Sequence, residues 1–291
     1  MSKQTAIITG GNAGLGFQCA RVLASEGWHV VIACRDAGRG AEAAALLRQE
    51  LPEASVAVQL LDLASLASVR RFAAAFTGTL DALICNAGIQ VVSGLSYTED
   101  GFETTFAVNH LGHFLLVELM KAHQPKRVVV VASGTHDPGQ FTGMPEPRMA
   151  NAAELAKPPA DTEAVGEAGR RRYTTSKLCN ILFSYELARR APGVVVAAFD
   201  PGLMPGSGLA RDYGAFQRWA WRNILPVLRL FQRNVNSTES SGRALARLAT
   251  DPGIATGTYY EGLRAIRSST QSYDEALAAR LWSQSEALLA T

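Results

Sequence analysis

The sequence predicts an α/β fold: a single domain with a doubly wound parallel sheet of about seven strands and helices on both faces. Short apolar runs rich in Val, Ile and Ala alternate with helical segments along the first half of the 291-residue chain. The runs show no clean apolar–polar alternation, which is typical of strands buried on both faces. Repeated strand–helix–strand units favour parallel strands joined by right-handed crossovers.

The individual elements follow from the same pattern. Six strands are predicted at TAIITG, HVVIACR, SVAVQLLDL, DALICNAG, RVVVVAS and VVVAAFDPG, and GTYYEG is the seventh. Helices are predicted over residues 16–26, 38–51, 66–76, 109–122 and 273–289. We find neither repeats nor a linker, so residues 1–291 are interpreted as one domain.

Two segments depart from this alternation of strands and helices. Residues 134–172 hold five of the twelve prolines and show no strong element of their own, and long connections of this kind are usually functional. Residues 203–238 begin as a Gly/Pro-rich loop and continue as FQRWAWRNILPVLRLFQR, which is apolar, aromatic and basic. Both segments leave the carboxyl ends of strands, where parallel sheets bind ligands. We therefore expect both to shape a substrate site, with a lid near 203–238.

Composition narrows the classes of function. With 28 Lys and Arg against 26 Asp and Glu, nothing indicates nucleic-acid binding. The arginine clusters at 170–172 and 211–233 are interpreted as solvated faces. The four cysteines have no metal-ligand spacing, so we expect reduced, buried thiols and no metal. No signal peptide and no run of 18 apolar residues is found, which predicts a cytoplasmic location. Peripheral membrane contact through 203–238 is the minority hypothesis.

A glycine-rich turn, TGGNAGLG, follows the first strand and opens the first helix. Gly10, Gly14 and Gly16 lack a Cβ, which a tight turn and the close approach of backbone to a pyrophosphate both require. The N-terminus of the helix offers unpaired N–H groups to an anion. Because a strand precedes the turn and a helix follows it, the motif predicts a dinucleotide site.

The T-G-x3-G-x-G spacing resembles the short-chain dehydrogenase/reductase family, and further motifs follow in that family's order. They are LLDL at 60–63, CNAG at 85–88, VNHLGHFLL, VVVASG, the Tyr-x3-Lys pair and DPG. The resemblance implies a Rossmann-type fold, a nicotinamide cofactor and oxidoreductase activity. The cofactor-binding residues that it implies are Gly10, Asn12, Gly14, Leu15, Gly16, Asp62, Leu63, Asn86, Ala87, Gly88, Tyr173, Lys177, Pro201 and Gly202.

Tyr173 and Lys177 lie four residues apart on a predicted helix and therefore share one face. An ammonium beside a phenol lowers the phenol's pKa from about 10, which suits general acid–base catalysis. The resemblance implies the roles. Tyr173 exchanges a proton with the substrate oxygen, and Lys177 tunes Tyr173 and binds the nicotinamide ribose. Ser133 hydrogen-bonds the substrate oxygen, and Asn109 holds a water in a proton relay.

Residues at the end of the second strand decide whether such a site prefers NAD or NADP(H). Cys34 stands where NAD-type members of the family carry an acid, and Arg35 follows it. Arginine pairs bidentately with phosphate, so we predict NADP(H), with Arg35 on the 2′-phosphate. Asp36 is the competing candidate for the ribose, and we expect it to face away or cap the next helix.

The predicted function is NADPH-dependent hydride transfer to or from the carbonyl or alcohol of a bulky, hydrophobic substrate, such as a retinoid, polyketide or quinone. Within the family, ACRD and SKLCN resemble the branch that holds retinol dehydrogenases and light-dependent protochlorophyllide reductases. A light-dependent C=C reductase is therefore the alternative. Its members usually carry a cysteine where this chain has Leu203.

Three further expectations remain open. The alternative from another class of function is a sensor that binds NADP(H) but does not catalyse a reaction. The resemblance also implies a homo-oligomer, because family members often associate through two long helices. Asp200, before the Pro-Gly, departs from the aromatic, His or Asn that is usual there, and its role in the pocket is open.

Overall fold

The computed structural model describes residues 3–140, 142–204 and 236–290. They form an eight-stranded sheet in the order β3-β2-β1-β4-β5-β6-β7-β8. The strands are Thr5–Thr9 (β1), His29–Cys34 (β2), Ser55–Leu60 (β3), Ala82–Cys85 (β4), Arg127–Val131 (β5), Val195–Asp200 (β6), Thr258–Glu261 (β7) and Arg264–Ile266 (β8). The seven predicted strands are confirmed and run parallel, whereas the short edge strand β8 pairs antiparallel with β7.

Helices lie between most of these strands. They are Gly14–Ser25 (α1), Ala37–Glu50 (α2), Leu66–Ala75 (α3), Thr104–Phe106 (α4), Gly112–Met120 (α5), Ala152–Ala156 (α6), Val165–Arg190 (α7), Thr238–Thr250 (α8) and Glu275–Leu289 (α9). A π-helical turn, Ala107–Leu111, joins α4 to α5, so this helical region begins earlier than the predicted 109–122. Helix α8 was not predicted.

Side chains leave the two faces of the sheet for two separate cores. Ile8 packs into the core that α1, α2 and α8 cover, together with Leu23 and Leu245. Its neighbour Ile7 points to the other face and packs with Phe114 of α5 and Trp282 of α9. Helices therefore cover both faces, which is why the strand sequences show no apolar–polar alternation.

The connection after β5 is more ordered than predicted. Helix α7 begins at Val165, well inside the predicted loop 134–172, and α6 and a 3-10 turn at Gly134–His136 lie there too. The first turns of α7 pack tightly on the chain after β4, since a Cβ on Gly169 would lie 2.2 Å from the Val91 carbonyl oxygen. Tertiary packing thus extends the helix beyond its apolar pattern, and the irregular part of this connection ends at residue 164.

The prediction of a solvated arginine face at 170–172 is wrong for Arg171 and Arg172. Arg171 donates to both carboxylate oxygens of Glu163, with its Nη2 2.9 Å from Oε2. Arg172 bonds Asp161 at 2.6 Å and lies 3.6 Å from the buried carboxylate of Glu103. The two arginines therefore fasten the 137–164 connection to α7.

The lid and the second arginine cluster fall almost entirely outside the described residues. Only 203–204 and 236–238 of the predicted lid are described, and the cluster at 211–233 is not. In the part of the chain that is described, no helix is both long and apolar enough to span a membrane. All four cysteines are buried and unbonded to one another, as expected.

Candidate active site

The glycine turn lies where β1 passes into α1. Gly10 and Gly14 have φ angles of +64° and +54°, in the left-handed region that favours glycine. A Cβ on Gly16 would lie 2.5 Å from Asn86 Nδ2 and 2.6 Å from the Gly10 carbonyl oxygen, so this position also requires glycine. The residue before α1 is Ala13, which cannot cap the helix, and the first turn holds no acidic side chain. The backbone amides at this helix start are thus suited to an anion.

Thr9, which the sequence analysis did not single out, locks the turn to the end of β4. Its buried hydroxyl accepts hydrogen bonds from the backbone N–H of Asn86 and of Ala87, both at 2.9 Å. It also lies 2.9 Å from His113 Nε2, and the other ring nitrogen of His113 contacts the Asn109 carbonyl oxygen at 3.2 Å. Burial lowers the pKa of His113 to about 4, so a neutral ring accepts the Thr9 proton. His113 is thus a hydrogen-bonded, packed residue behind the turn.

Three charged side chains follow β2 at the edge of the cavity. Arg35 and Arg39 are exposed and line it. The carboxylate of Asp36, in contrast, accepts the backbone N–H of Arg39 at 3.0 Å and caps α2. Asp36 is thus the helix cap that the sequence predicted, and Arg39 is a second cation that the prediction missed, although it lies four residues after Arg35.

Tyr173 and Lys177 share a buried face of α7. The Lys177 ammonium lies 5.5 Å from the centroid of the Tyr173 ring and donates a hydrogen bond to the Val131 carbonyl oxygen at 3.0 Å. Burial lowers the pKa of Lys177 to about 8, and the negative charge of Asp200 opposes this shift. The pair predicted from an i, i+4 spacing is therefore confirmed as a spatial pair, beside the end of β5.

Ser133 stands two residues after β5 and lines the same cavity as Tyr173. Its hydroxyl oxygen accepts hydrogen bonds from the backbone N–H and the hydroxyl of Thr135, at 3.3 and 3.1 Å. The extended backbone of Ser133 ends at the 3-10 turn, which directs the next residues away from the sheet. The serine hydroxyl is thus held next to the carboxyl end of β5.

Asn109 lies one layer behind the cavity wall. It belongs to the π-helical turn, a feature that is frequent at functional sites. Its Oδ1 accepts the backbone N–H of Ile89 at 2.8 Å, and its Nδ2 donates to the Ile89 carbonyl oxygen and to Ser176 Oγ, both at 2.9 Å. A Cβ on Gly88 would lie 3.4 Å from Asn109 Oδ1 and 3.5 Å from Lys177 Nζ. Gly88 therefore separates the asparagine from the cavity at the point closest to the lysine.

These residues meet in a cavity of about 630 Å³ at the carboxyl ends of the strands. Every predicted site residue lines it except Gly16 and Asn109, which support it from behind: the lining residues are Gly10, Asn12, Gly14, Leu15, Arg35, Asp62, Leu63, Asn86, Ala87, Gly88, Ser133, Tyr173, Lys177, Pro201 and Gly202. The wall also holds Gln140 and Met144, which belong to the segment 134–172 that was expected to shape the substrate site, and Asp200 of the DPG motif. The sequence pointed to this segment but not to Gln140 and Met144 individually, because neither belongs to a motif.

Comparison with known proteins agrees with this geometry. The family model described as short chain dehydrogenase matches residues 4–144. A WW domain-containing oxidoreductase from Danio rerio is 37% identical over 298 residues, which cover 99% of this chain and 69% of that protein. The chain belongs to the short-chain dehydrogenase/reductase family. It is an oxidoreductase of this family, and its Rossmann-type fold is the one that the motifs implied.

One curated protein and one solved structure extend this comparison. Protochlorophyllide reductase B from Hordeum vulgare is 34% identical, with 98% of this chain and 78% of that protein covered, which confirms the predicted resemblance to such reductases. The resemblance to retinol dehydrogenases stays a prediction. A crystal structure of an uncharacterized protein from Mycobacterium paratuberculosis has a TM-score of 0.75 at 31% identity and covers 100% of this chain and 94% of that one.

Proposed function

We propose that this protein uses NADP(H) to transfer a hydride between the nicotinamide and the carbonyl or alcohol carbon of a bulky, hydrophobic substrate, such as a retinoid, polyketide or quinone. The observation that carries the proposal is the phenol of Tyr173, the amine of Lys177 and the hydroxyl of Ser133 around one cavity. These three groups are the proton donor, the cation and the hydrogen-bond donor that carbonyl reduction requires.

The cavity fits a nicotinamide dinucleotide along its whole length. The turn at residues 10–16 would hold the pyrophosphate, because its glycines permit close approach and the start of α1 presents free amides. Arg35 and Arg39 would hold a 2′-phosphate, and Asp62 and Leu63 would contact the adenine. Asn86–Gly88, Pro201 and Gly202 would frame the nicotinamide end. When bound, the nicotinamide supplies or accepts the hydride, and the protein positions it and handles the proton.

Four side chains orient the substrate and move the proton. Ser133 donates a hydrogen bond to the substrate oxygen and orients the reacting carbon. Tyr173 gives its phenolic proton to the same oxygen during reduction and takes it back during oxidation. The Lys177 ammonium favours the phenolate of Tyr173 and holds the nicotinamide ribose. Asn109 supports Gly88 and Lys177 from behind, and a water held there would return the proton to solvent.

The preference for an apolar substrate rests on the wall beyond Tyr173. Ile89, Met144, Leu203 and Met204 line this part of the cavity, and Ser133 and Gln140 provide a few polar groups. A mostly apolar lining with few polar groups is typical of small-molecule sites. The aromatic stretch of the predicted lid lies outside the described residues.

The test is Tyr173→Phe, assayed with NADPH and a panel of lipophilic aldehydes, ketones and quinones. We expect turnover to fall by about 10²–10⁴-fold while NADPH binding, measured by fluorescence, is retained. The matched control is Tyr185→Phe, since Tyr185 is equally buried on the same helix but bonds Ser268 at 2.7 Å outside the cavity. Full activity in Tyr173→Phe would refute the assigned role. NADPH binding without turnover by the wild type over the whole panel would favour the sensor hypothesis.

A light-dependent C=C reductase is the second candidate, and the identity with protochlorophyllide reductase B favours it. Leu203 opposes it, because a leucine cannot donate the proton that members of that group usually take from a cysteine at this position. Illumination of the protein with NADPH and a porphyrin substrate separates the candidates. A light-dependent change in the absorption spectrum supports the second candidate, and an unchanged spectrum refutes it.

A further inference from the structure

Asp200 is a buried carboxylate at the inner end of the candidate active site. It is the last residue of β6, only 2% of its surface is exposed, and it lines the cavity with Tyr173, Lys177 and Ser133. Buried carboxylates are rare unless a charge or several hydrogen bonds compensate them. Its presence at the reacting end of the cavity therefore requires a partner or a role.

The backbone around Asp200 fixes the position of its carboxylate. One oxygen, Oδ1, accepts the backbone N–H of Gly202 at 2.9 Å. The other, Oδ2, lies against Gly134, where a Cβ would approach it to 3.0 Å. Asp200 also pairs in register with Glu261 of β7. The carboxylate is thus clamped between the turn after β5 and the turn after β6.

Lys177 is a buried cation in the wall of the same cavity. Only 3% of Lys177 is exposed, and its amine bonds one backbone carbonyl, that of Val131. Burial disfavours the charged form of a lysine, and a carbonyl dipole compensates only part of that cost. The Lys177 amine bonds Val131, and Val131 pairs in register with Phe199, the residue before Asp200, so the amine lies beside the strand end that carries Asp200. The negative charge of Asp200 favours the charged form of Lys177 and so opposes the effect of burial on its pKa.

The other titratable side chains near Lys177 and Asp200 do not neutralise the charges of these two residues. His113 and Tyr173 face Lys177, and burial keeps the ring of His113 neutral. On the other side, His136, Tyr259 and Glu261 face Asp200, and Tyr185 lies next to Tyr259.

None of His136, Tyr259 and Glu261 supplies a positive charge to Asp200. His136 accepts the backbone N–H of Ser269 at its Nε2, which leaves its Nδ1 to donate to the Ser133 carbonyl oxygen at 2.7 Å, and burial lowers its pKa. Burial and Asp200 together raise the pKa of Tyr259. Glu261 is paired with Arg264. Lys177 is therefore the one member of this group that carries a positive charge at neutral pH.

We propose that Asp200 is a positioning residue that holds the Lys177 amine in its cationic form inside the cavity. Its catalytic meaning rests on the function proposed above, since the cation is what tunes Tyr173 and holds the nicotinamide ribose. Asp200 acts on the reaction through Lys177, and its own carboxylate stays on the Gly202 amide. This role would explain why an aspartate, Asp200, precedes the Pro-Gly in this chain.

The proposal is tested by measuring the ionisation of Lys177 directly. The chain has five lysines, so NMR of protein labelled with ¹³C at the lysine ε-carbon gives few signals, and Lys177→Arg identifies the one that belongs to residue 177. In the wild type we expect a titration midpoint near the pKa of about 8. Asp200→Asn keeps an oxygen for the Gly202 amide but removes the charge, so the midpoint should fall by about one unit or more.

Glu261→Gln is the matched control, since it removes a carboxylate at the register partner of Asp200 but outside the cavity. Its midpoint should equal that of the wild type. A wild-type midpoint in Asp200→Asn, or an equal fall in both variants, overturns the proposal. If Asp200→Asn does not fold, Asp200→Ser replaces it and is judged by the same two results. The titration needs neither cofactor nor substrate, so its failure is distinguishable from failure of the proposed function.

Discussion

At the scale of single residues, the end of β2 shows how neighbouring charges divide into separate roles. Asp36 lines the cavity, but its Oδ1 accepts the backbone N–H of Arg39 and caps α2. Arg35 and Arg39 bracket it and both line the cavity. Two guanidinium groups at the ribose end of a dinucleotide site are suited to an extra phosphate, since arginine forms bidentate, charge-assisted hydrogen bonds.

Arg35→Leu is expected to weaken NADPH binding and leave NADH binding unchanged. A charge-assisted hydrogen bond contributes about 1.5–3 kcal/mol, so the Kd for NADPH should rise by about 10- to 100-fold. Fluorescence titration with both cofactors measures this. Arg21→Leu is the control, because Arg21 is a partly exposed arginine that pairs with Glu50 and does not line the cavity. An equal loss for both cofactors would contradict the assignment of a 2′-phosphate contact.

At the scale of elements, helix α9 supports α7, the helix that carries Tyr173 and Lys177. Its Trp282 lies edge-on to Phe114 of α5 at 4.9 Å and stacks on Phe183 of α7 at 5.7 Å. The ring is fully buried, and Arg190, at the end of α7, covers it at 4.8 Å. One aromatic residue thus joins three helices on the face of the sheet opposite α1.

Trp282→Ala should therefore destabilise the whole domain. Truncation of a buried tryptophan costs about 3–5 kcal/mol, because contacts are lost and a cavity remains. Urea denaturation followed by circular dichroism measures the change in the free energy of unfolding. Leu263→Ala serves as the control, since Leu263 is 55% exposed in the β7–β8 turn and should change stability little. Equal stability of Trp282→Ala and wild type would show that α9 is not integral to the fold.

At the scale of the whole molecule, buried histidines, among them His110 and His113, make stability depend on pH. Burial lowers the pKa of His110 to about 3 and that of His113 to about 4, from 6.5. The unfolded chain therefore takes up these protons first. The stabilisation is fully present above pH 6.5 and is lost as the pH falls toward 4 and 3.

Between pH 7 and pH 5, each ring should lower the free energy of unfolding by about 2 kcal/mol. His110→Gln should reduce this difference by the contribution of one ring, whatever its effect at pH 7, because glutamine does not titrate. Urea denaturation of both proteins at the two pH values provides the comparison. The same difference in wild type and variant would mean that His110 is not buried in its neutral form.

Much of the fold and of the candidate site could be predicted, because the decisive patterns are local. The glycine spacing, the β1–α1 junction and the shared face of Tyr173 and Lys177 all lie within a few residues. The strands were recognised by their apolar content alone, since both of their faces are buried. The early start of α7 could not be predicted, because it depends on packing against Val91 rather than on an apolar pattern.

The sequence by itself determined the order of the elements, the tight turn before α1 and the shared helix face of Tyr173 and Lys177, because periodicity and the absence of a Cβ act over short distances. Only the tertiary structure decided which buried polar and charged groups lie together. Asp200 and Lys177 line one cavity, Arg172 reaches Glu103, and Thr9 bonds His113 across long stretches of chain. The physical reason is that desolvation and Coulomb energy depend on burial and distance in space, which one-dimensional spacing does not contain.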